Sequence, residues 1–181
     1  MTSAETMALS ATAVRAGRAA FYTSADEFCT IFNRDMDSLF QLAMVLTGDE
    51  AKAQKCFLAA LEKCRKSTTV FRDWARSWAR IAVIENAIEM IGPSAGKMDT
   101  RNAAYAGASP EFDLVLRLDT FARFVFVLTV LNQFTIQDAA ILLKCRPQEV
   151  ENAKLRAMEI LGRNAAETIK SSAMAAHRLA S

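Results

Sequence analysis

Between Phe121 and Leu161 the apolar positions fall into three short periodic runs separated by polar breaks. Phe121 to Leu131 is almost wholly apolar and reads as a buried helix. Asn132-Gln133-Phe134 interrupts it, and Thr135 is a good N-cap for a second helix through Leu143. In that helix Ile136, Ala139, Ala140 and Leu143 lie at i, i+3, i+4 and i+7, one helical face. Lys144-Cys145-Arg146 then makes a three-residue turn. Pro147 opens a third helix, where its missing N–H costs nothing. Val150, Ala153, Ala157 and Ile160 or Leu161 form its inner face, with alanines small enough to let two helices approach closely. A short helix, a tight turn and a second amphipathic helix follow the helix-turn-helix grammar, in which the later helix is offered to a major groove. The same spacing also serves a three-helix bundle with no nucleic-acid role.

The N-terminal half is patterned the same way. Phe28 to Leu46 reads as one long helix with Phe28, Ile31, Phe32, Leu39, Phe40, Ala43 and Leu46 inward, ended by Thr47-Gly48-Asp49 with Gly48 as the cap. Glu50 to Arg65 follows, with Ala53, Phe57, Ala60, Leu61 and Cys64 inward and Lys52, Lys55 and Lys63 outward. Val70 to Ile91 reads as a third helix carrying Phe71, Trp74, Trp78, Ile81, Ala82, Ile84, Ala87, Ile88 and Ile91. Trp74 and Trp78, four apart, have the usual spacing of core residues, and that reading is preferred for them. Together with Arg72, Arg76 and Arg80, which recur every four residues, they also suit a face that stacks on unpaired bases and follows phosphates.

Composition narrows the class. A hydrophobic fraction of 52% in 181 residues, with six glycines and three prolines, supports a helical core, and no alternating strand pattern is found. The fold expected is all-α: two small helical domains joined by a flexible linker, the second a helix-turn-helix domain. Residues 1–20, rich in Ala, Ser and Thr, read as a disordered tail. Residues 21–91 form the first domain, and 92–113, holding Gly92-Pro93, Gly96, Gly107 and Ser109-Pro110, the linker. Residues 114–163 form the second domain, with Gly162 capping its last helix, and 164–181 an Ala-rich tail in which Ile169, Ala173, Met174 and His177 share a face.

Charge and candidate chemistry add mostly exclusions. The formal net charge of +2 announces no polyanion partner. Cys29, Cys56, Cys64 and Cys145 contain no C-x-x-C pair, and His177 is the single histidine, so no zinc cage or Ser/His/Asp set is expected, nor any metal or cofactor. Free thiols fit a reducing cytoplasm. Arg15 and Arg18 break any apolar signal core, and no apolar run reaches membrane length. An enzyme is not expected, and neither is a membrane partner.

Two further groups of residues carry a family resemblance. Leu118, Arg123, Val125, Phe126, Leu128 and Leu131 are followed by Phe134-Thr135, Gln137-Asp138-Ala139-Ala140, Leu142-Leu143, Val150 and Arg156-Ala157. In this order and spacing they resemble the fourth conserved region of bacterial RNA polymerase sigma factors, of the small two-domain extracytoplasmic-function type. Thr47-Gly48-Asp49, Phe71-Arg72-Asp73-Trp74 and Trp78-Ala79-Arg80 are similar to that family's second region. The resemblance implies a protein that binds RNA polymerase core and promoter DNA. The first domain would grip core and melt the minus-ten element, with Arg72, Trp74, Arg76, Trp78 and Arg80 as its candidate DNA contacts. The second would lay Pro147 to Arg156 in the minus-thirty-five major groove, with Lys144, Arg146, Gln148, Asn152, Lys154 and Arg156 as contacts. The sequence departs from the family's pattern at defined places. Lys144 stands where the turn usually has glycine, Glu151, Asn152 and Ala153 where Lys, Ser and Arg are usual, and Gln54-Lys55 where acids are usual. Glu149 adds a carboxylate. The region from Lys144 to Arg163, with Asp138, then carries five cations (Lys144, Arg146, Lys154, Arg156, Arg163) against four carboxylates (Asp138, Glu149, Glu151, Glu159). These departures motivate a second reading: a sigma-like regulator acting through protein contacts, by occupying core or by pairing with an anti-sigma factor.

Overall fold

The computed structural model describes residues 21–67, 69–95 and 110–179. Every regular element among them is helical. These are α1 (Ala25–Arg34), α2 (Met36–Thr47), α3 (Glu50–Lys66), α4 (Ala75–Ile91), α5 (Pro110–Leu116), α6 (Thr120–Phe126), α7 (Ile136–Leu143) and α8 (Pro147–Leu179), with a 3₁₀ turn at Arg72–Trp74 and a π-helical stretch at Val127–Leu131. No helix among the described residues is long and apolar enough to cross a membrane. The chain divides into two compact units, Met1–Ala43 with Gln54–Asn86, and Met44–Ala53 with Ala87–Ser181. The tail at 1–20 and residues 96–109 of the linker lie outside the described residues, as do the side chains of the face assigned to Ile169, Ala173, Met174 and His177.

In the first unit, Ser24 starts α1 with a capping box. Its hydroxyl accepts from the Glu27 N–H at 3.2 Å, while the Glu27 carboxylate accepts from the Ser24 N–H at 2.7 Å. That backbone N–H, with help from the Ser24 hydroxyl and Arg72, holds the Glu27 carboxyl below its usual range. The single helix expected from Phe28 to Leu46 is instead two, because the backbone leaves helical geometry at Asp35 (φ −103°, ψ 19°). Asp35 serves both pieces: its N–H closes on the Ile31 carbonyl and its own carbonyl receives the Leu39 N–H. Phe28, Phe32, Leu39 and Ala43 are buried, and Phe57 of α3 meets Phe32 and Phe40 edge-on. Cys56 and Cys64 are buried thiols, and the Cys56 Sγ donates to the Val83 carbonyl at 3.3 Å. Desolvation pushes Cys56 up to about 11 and Cys64 to about 12, so both are inert thiols near neutrality.

The aromatic positions of the third predicted helix do not face inward. Phe71 and Trp74 precede α4 on the 3₁₀ turn, and α4 packs through Ala75, Ala79, Ala82 and Val83, all buried. Two periodic stripes compete in this sequence, and the alanine stripe gives the closer helix approach. The tryptophans are left outside, with Trp74 68% exposed and Trp78 37%.

The second unit is built on α6. All six residues from Phe121 to Phe126 are buried, so the helix is enclosed on every side. Asp119 caps it, accepting from the Ala122 N–H at 2.9 Å. The expected apolar helix to Leu131 changes to π geometry at Val127, where both the Asn132 side-chain amide and its backbone N–H reach the Val127 carbonyl. Helix α8 packs against α6 and α7, and Leu118, Ala122, Phe126 and Ala157 form one cluster with Val115, Val130, Ile160 and Leu161 against it. A fully buried Phe, Leu or Val contributes roughly 1.5–3 kcal/mol by leaving water, which makes α6 the main apolar contributor.

Arg123 is the one charged side chain of α6 and is only 5% exposed. Its Nη1 donates to the Leu116 carbonyl at 3.3 Å and its Nη2 to the Leu46 carbonyl at 3.4 Å. Both acceptors lie at helix C-terminal ends, where unsatisfied carbonyls and the helix dipole favour a cation. Gly48 (φ +66°) passes directly over this group. A Cβ there would lie 3.3 Å from both terminal nitrogens, so glycine is required by conformation and by space together.

Two expectations at the edges of this unit are corrected. Residues 110–113, expected as linker, begin α5. Gly162 does not cap α8, which continues in helical geometry to Leu179, because the residues on either side are good helix formers that outweigh one glycine.

Replacing Arg123 with Ala should lower unfolding free energy by about 2–4 kcal/mol in urea titration, since two buried carbonyls lose their donor. Arg123→Lys should lose less than Arg123→Ala but not recover the unaltered stability, because one ammonium can keep a donor to a carbonyl but cannot span both directions of the guanidinium fork. Gly162→Ala should stabilise by about 0.5–1 kcal/mol, visible as a raised Tm, because nothing lies within 4 Å of the new methyl.

Candidate functional site

The residues proposed as contacts fall on two separate surfaces, one in each unit. In the second unit, Thr135 caps α7 as expected, its hydroxyl accepting from the Asp138 N–H at 3.1 Å. Ala139, Ala140 and Leu143 of α7 and Val150, Ala153 and Ala157 of α8 are buried, which places the facing alanines where the two helices pack.

Between them the turn closes as a Schellman motif. The Cys145 N–H reaches the Ala140 carbonyl at 3.0 Å and the Lys144 N–H the Ile141 carbonyl at 3.3 Å, with Lys144 left-handed (φ 52°, ψ 45°). A glycine adopts that conformation freely, whereas a residue with a Cβ is strained there. Lys144 therefore keeps the backbone geometry of a glycine turn at a conformational cost.

Helix α8 shows its polar side to solvent. Gln148, Asn152 and Arg156 are exposed and follow each other at i, i+4 and i+8, so they run in one line along the helix. The Gln148 amide Nε2 lies 3.3 Å from Asn152 Oδ1 and 3.5 Å from Glu151 Oε2. Lys144 and Arg146 are exposed at the turn, and Lys154 is half-buried at the edge of the packed face.

Glu149, which the sequence offers as a carboxylate facing phosphates, has a different role. Its Oε2 accepts the Arg146 backbone N–H at 2.7 Å, across the first turn of α8. It is thus a capping carboxylate that also complements the helix N-terminus. Sequence reasoning missed it because the position that usually signals such a box holds Arg146 rather than Ser or Thr. Exposed Ile141 on α7 and exposed Leu155 and Met158 on α8 were also missed, since periodicity assigns apolar residues inward.

The second surface is in the first unit. Arg72 pairs with Glu27 at 2.9 Å, Arg76 with Asp35 at 3.3 Å, and Arg80 Nη2 reaches the Ser38 hydroxyl at 3.5 Å. The arginine stripe is therefore neutralised or engaged along its length. Arg76 and Arg80, with Asp35, Ser38 and Ser77, border a cleft of about 340 Å³ over Ile31, Leu39 and Ala79.

Beside it stand aromatic rings. Phe71 and Tyr22 stack at 4.9 Å between centroids, and Trp74 meets Phe71 edge-on at 6.0 Å. One antiparallel bridge between Tyr22 and Phe71 holds the arrangement, with the Thr23 N–H on the Val70 carbonyl (2.7 Å) and the Arg72 N–H on the Phe21 carbonyl (3.1 Å). Phe21 and Tyr22 were not legible as site residues, because their partners lie some fifty residues on, and no local period links them. No group of three or more His, Cys, Asp or Glu side chains among the described residues is placed to hold a metal ion.

No family model matches the chain, and no curated protein or solved structure is significantly similar to it.

Lys144→Gly should raise unfolding free energy by about 1 kcal/mol, read by urea titration, because it relieves the left-handed strain.

Proposed function

We propose that this protein is a sigma-factor-like DNA-binding transcription protein, in which α7, the Lys144-Cys145-Arg146 turn and α8 act as a helix-turn-helix. The observation that carries this reading is the line Gln148, Asn152 and Arg156 on the exposed side of a helix whose opposite side, Val150, Ala153 and Ala157, is anchored against α6 and α7. Amide and guanidinium groups in such a line suit base edges and phosphates of a major groove. Glu149 weighs less against phosphate contact than its charge suggests, because it is engaged with the Arg146 N–H. A role with RNA polymerase core rests on the sequence resemblance of the first half. The arginines of the first unit support DNA contact weakly, since Arg72 and Arg76 already face carboxylates. The reading therefore rests on α8.

Exposed Leu155 and Met158 favour a second reading, a sigma-like regulator that uses this helix against a protein.

Binding to random-sequence duplex DNA, and run-off transcription with purified RNA polymerase core, separate the two. If α8 reads DNA, Arg156→Ala weakens duplex binding and lowers the salt slope by about one phosphate contact. A slope identical to that of the unaltered protein would remove Arg156 from the interface. Core binding with neither DNA binding nor transcripts would favour the regulator.

A further inference from the structure

We propose that the aromatic patch of Tyr22, Phe71 and Trp74 is a docking site for an arginine- or lysine-bearing segment of a partner protein. The patch is open: Phe71 is 46% exposed and Trp74 68%. It is also built, since the Tyr22–Phe71 stack, the Phe71–Trp74 contact and the backbone bridge fix the rings in one array. Rings held this way present negative π faces without a further ordering cost.

The surrounding charges decide what fits. The two cations nearest in sequence, Arg72 and Arg76, are held by Glu27 and Asp35. Asp73, exposed and adjacent to Trp74, has no ion-pair partner among the described residues. The uncompensated features are thus π faces and a carboxylate, both of which attract a guanidinium or ammonium group. A phosphodiester brought to the same rings would meet Asp73, while the two arginines nearest in sequence, Arg72 and Arg76, are already held by carboxylates. This surface is independent of α8, and the proposal does not rest on the DNA-binding reading.

The test uses the full-length protein and a fluorescein-labelled tetra-arginine peptide, with tetra-citrulline and oligothymidylate as the other arms. Trp74 and Trp78 are the only tryptophans in the chain, so intrinsic fluorescence reports on this region directly. Saturable binding of tetra-arginine that shifts tryptophan emission is expected, with tetra-citrulline binding far more weakly. Trp74→Ala should weaken the peptide about tenfold, as loss of a cation–π partner does. Asp73→Asn should weaken it roughly threefold, with less salt dependence. Trp74→Phe, which keeps a ring, should retain most of the affinity, and an unchanged far-UV spectrum would show each variant folded. Absence of saturable binding, equal binding of tetra-citrulline, affinity untouched by Trp74→Ala, or a preference for oligothymidylate would each overturn the proposal.

Discussion

A single guanidinium sets the terms for the second unit. Helix α6 is enclosed on all sides, and such a helix can carry a charge only where something inside satisfies it. Arg123 meets that condition by donating to carbonyls in the last turns of two helices, Leu116 of α5 and Leu46 of α2. Cation and carbonyls answer each other's desolvation, so neither is readily removed alone. The constraint spreads to the backbone. Gly48 must turn left-handed and must lack a side chain, because the guanidinium lies against it. The Thr47-Gly48-Asp49 sequence, readable as a helix stop, is thus also the space in which a buried charge is kept.

The two surfaces treat charge in opposite ways. In the first unit, Arg72 and Arg76 have carboxylates within 3.3 Å, and what projects beyond them is aromatic. Such exposed pairs add little stability, but they remove positive potential from the surface. In the second unit, Glu149, one of the carboxylates on α8, is turned onto the backbone of its own helix. Formal charge counts along the sequence therefore misjudge both faces. They credit the first unit with a cationic stripe in which ion pairing engages Arg72 and Arg76, and they debit the second for a carboxylate that capping occupies.

What the sequence made legible was local. The inner faces of α7 and α8 follow from a 3.6-residue period, and Thr135, Pro147 and Gly48 mark helix boundaries by the chemistry of one residue each. What it hid depends on partners distant along the chain or on competition between two local patterns. The stripe through Phe71, Trp74 and Trp78 has perfect core spacing, yet the smaller Ala75, Ala79 and Ala82 take the interior because they allow closer packing. Asp35 divides a run that is periodic on both sides of it, and Gly162 is carried through a helix that a cap rule would end there. The Tyr22–Phe71 bridge and the Arg123 contacts join segments far apart in sequence, beyond the reach of any windowed pattern. The all-helical class was readable, while the composition of the surfaces needed the tertiary structure.

Helix α8 presents two chemistries along one exposed side. Its first two turns offer Gln148, Glu151 and Asn152, and the next two offer Leu155 and Met158. At 1.5 Å per residue, Gln148 and Leu155 are about 10 Å apart along the axis, too far for one base pair to meet both. A groove contacted by the N-terminal turns would leave Leu155 and Met158 free to meet something apolar. Exposed leucine and methionine at i and i+3 on the side opposite Val150 and Ala153 do nothing for the packing of this unit, since that packing is already complete through the alanines. Arg156, however, shares the axial level of Leu155 and Met158, so a groove contact through Gln148, Asn152 and Arg156 and a protein contact through Leu155 and Met158 would compete for the middle of the helix.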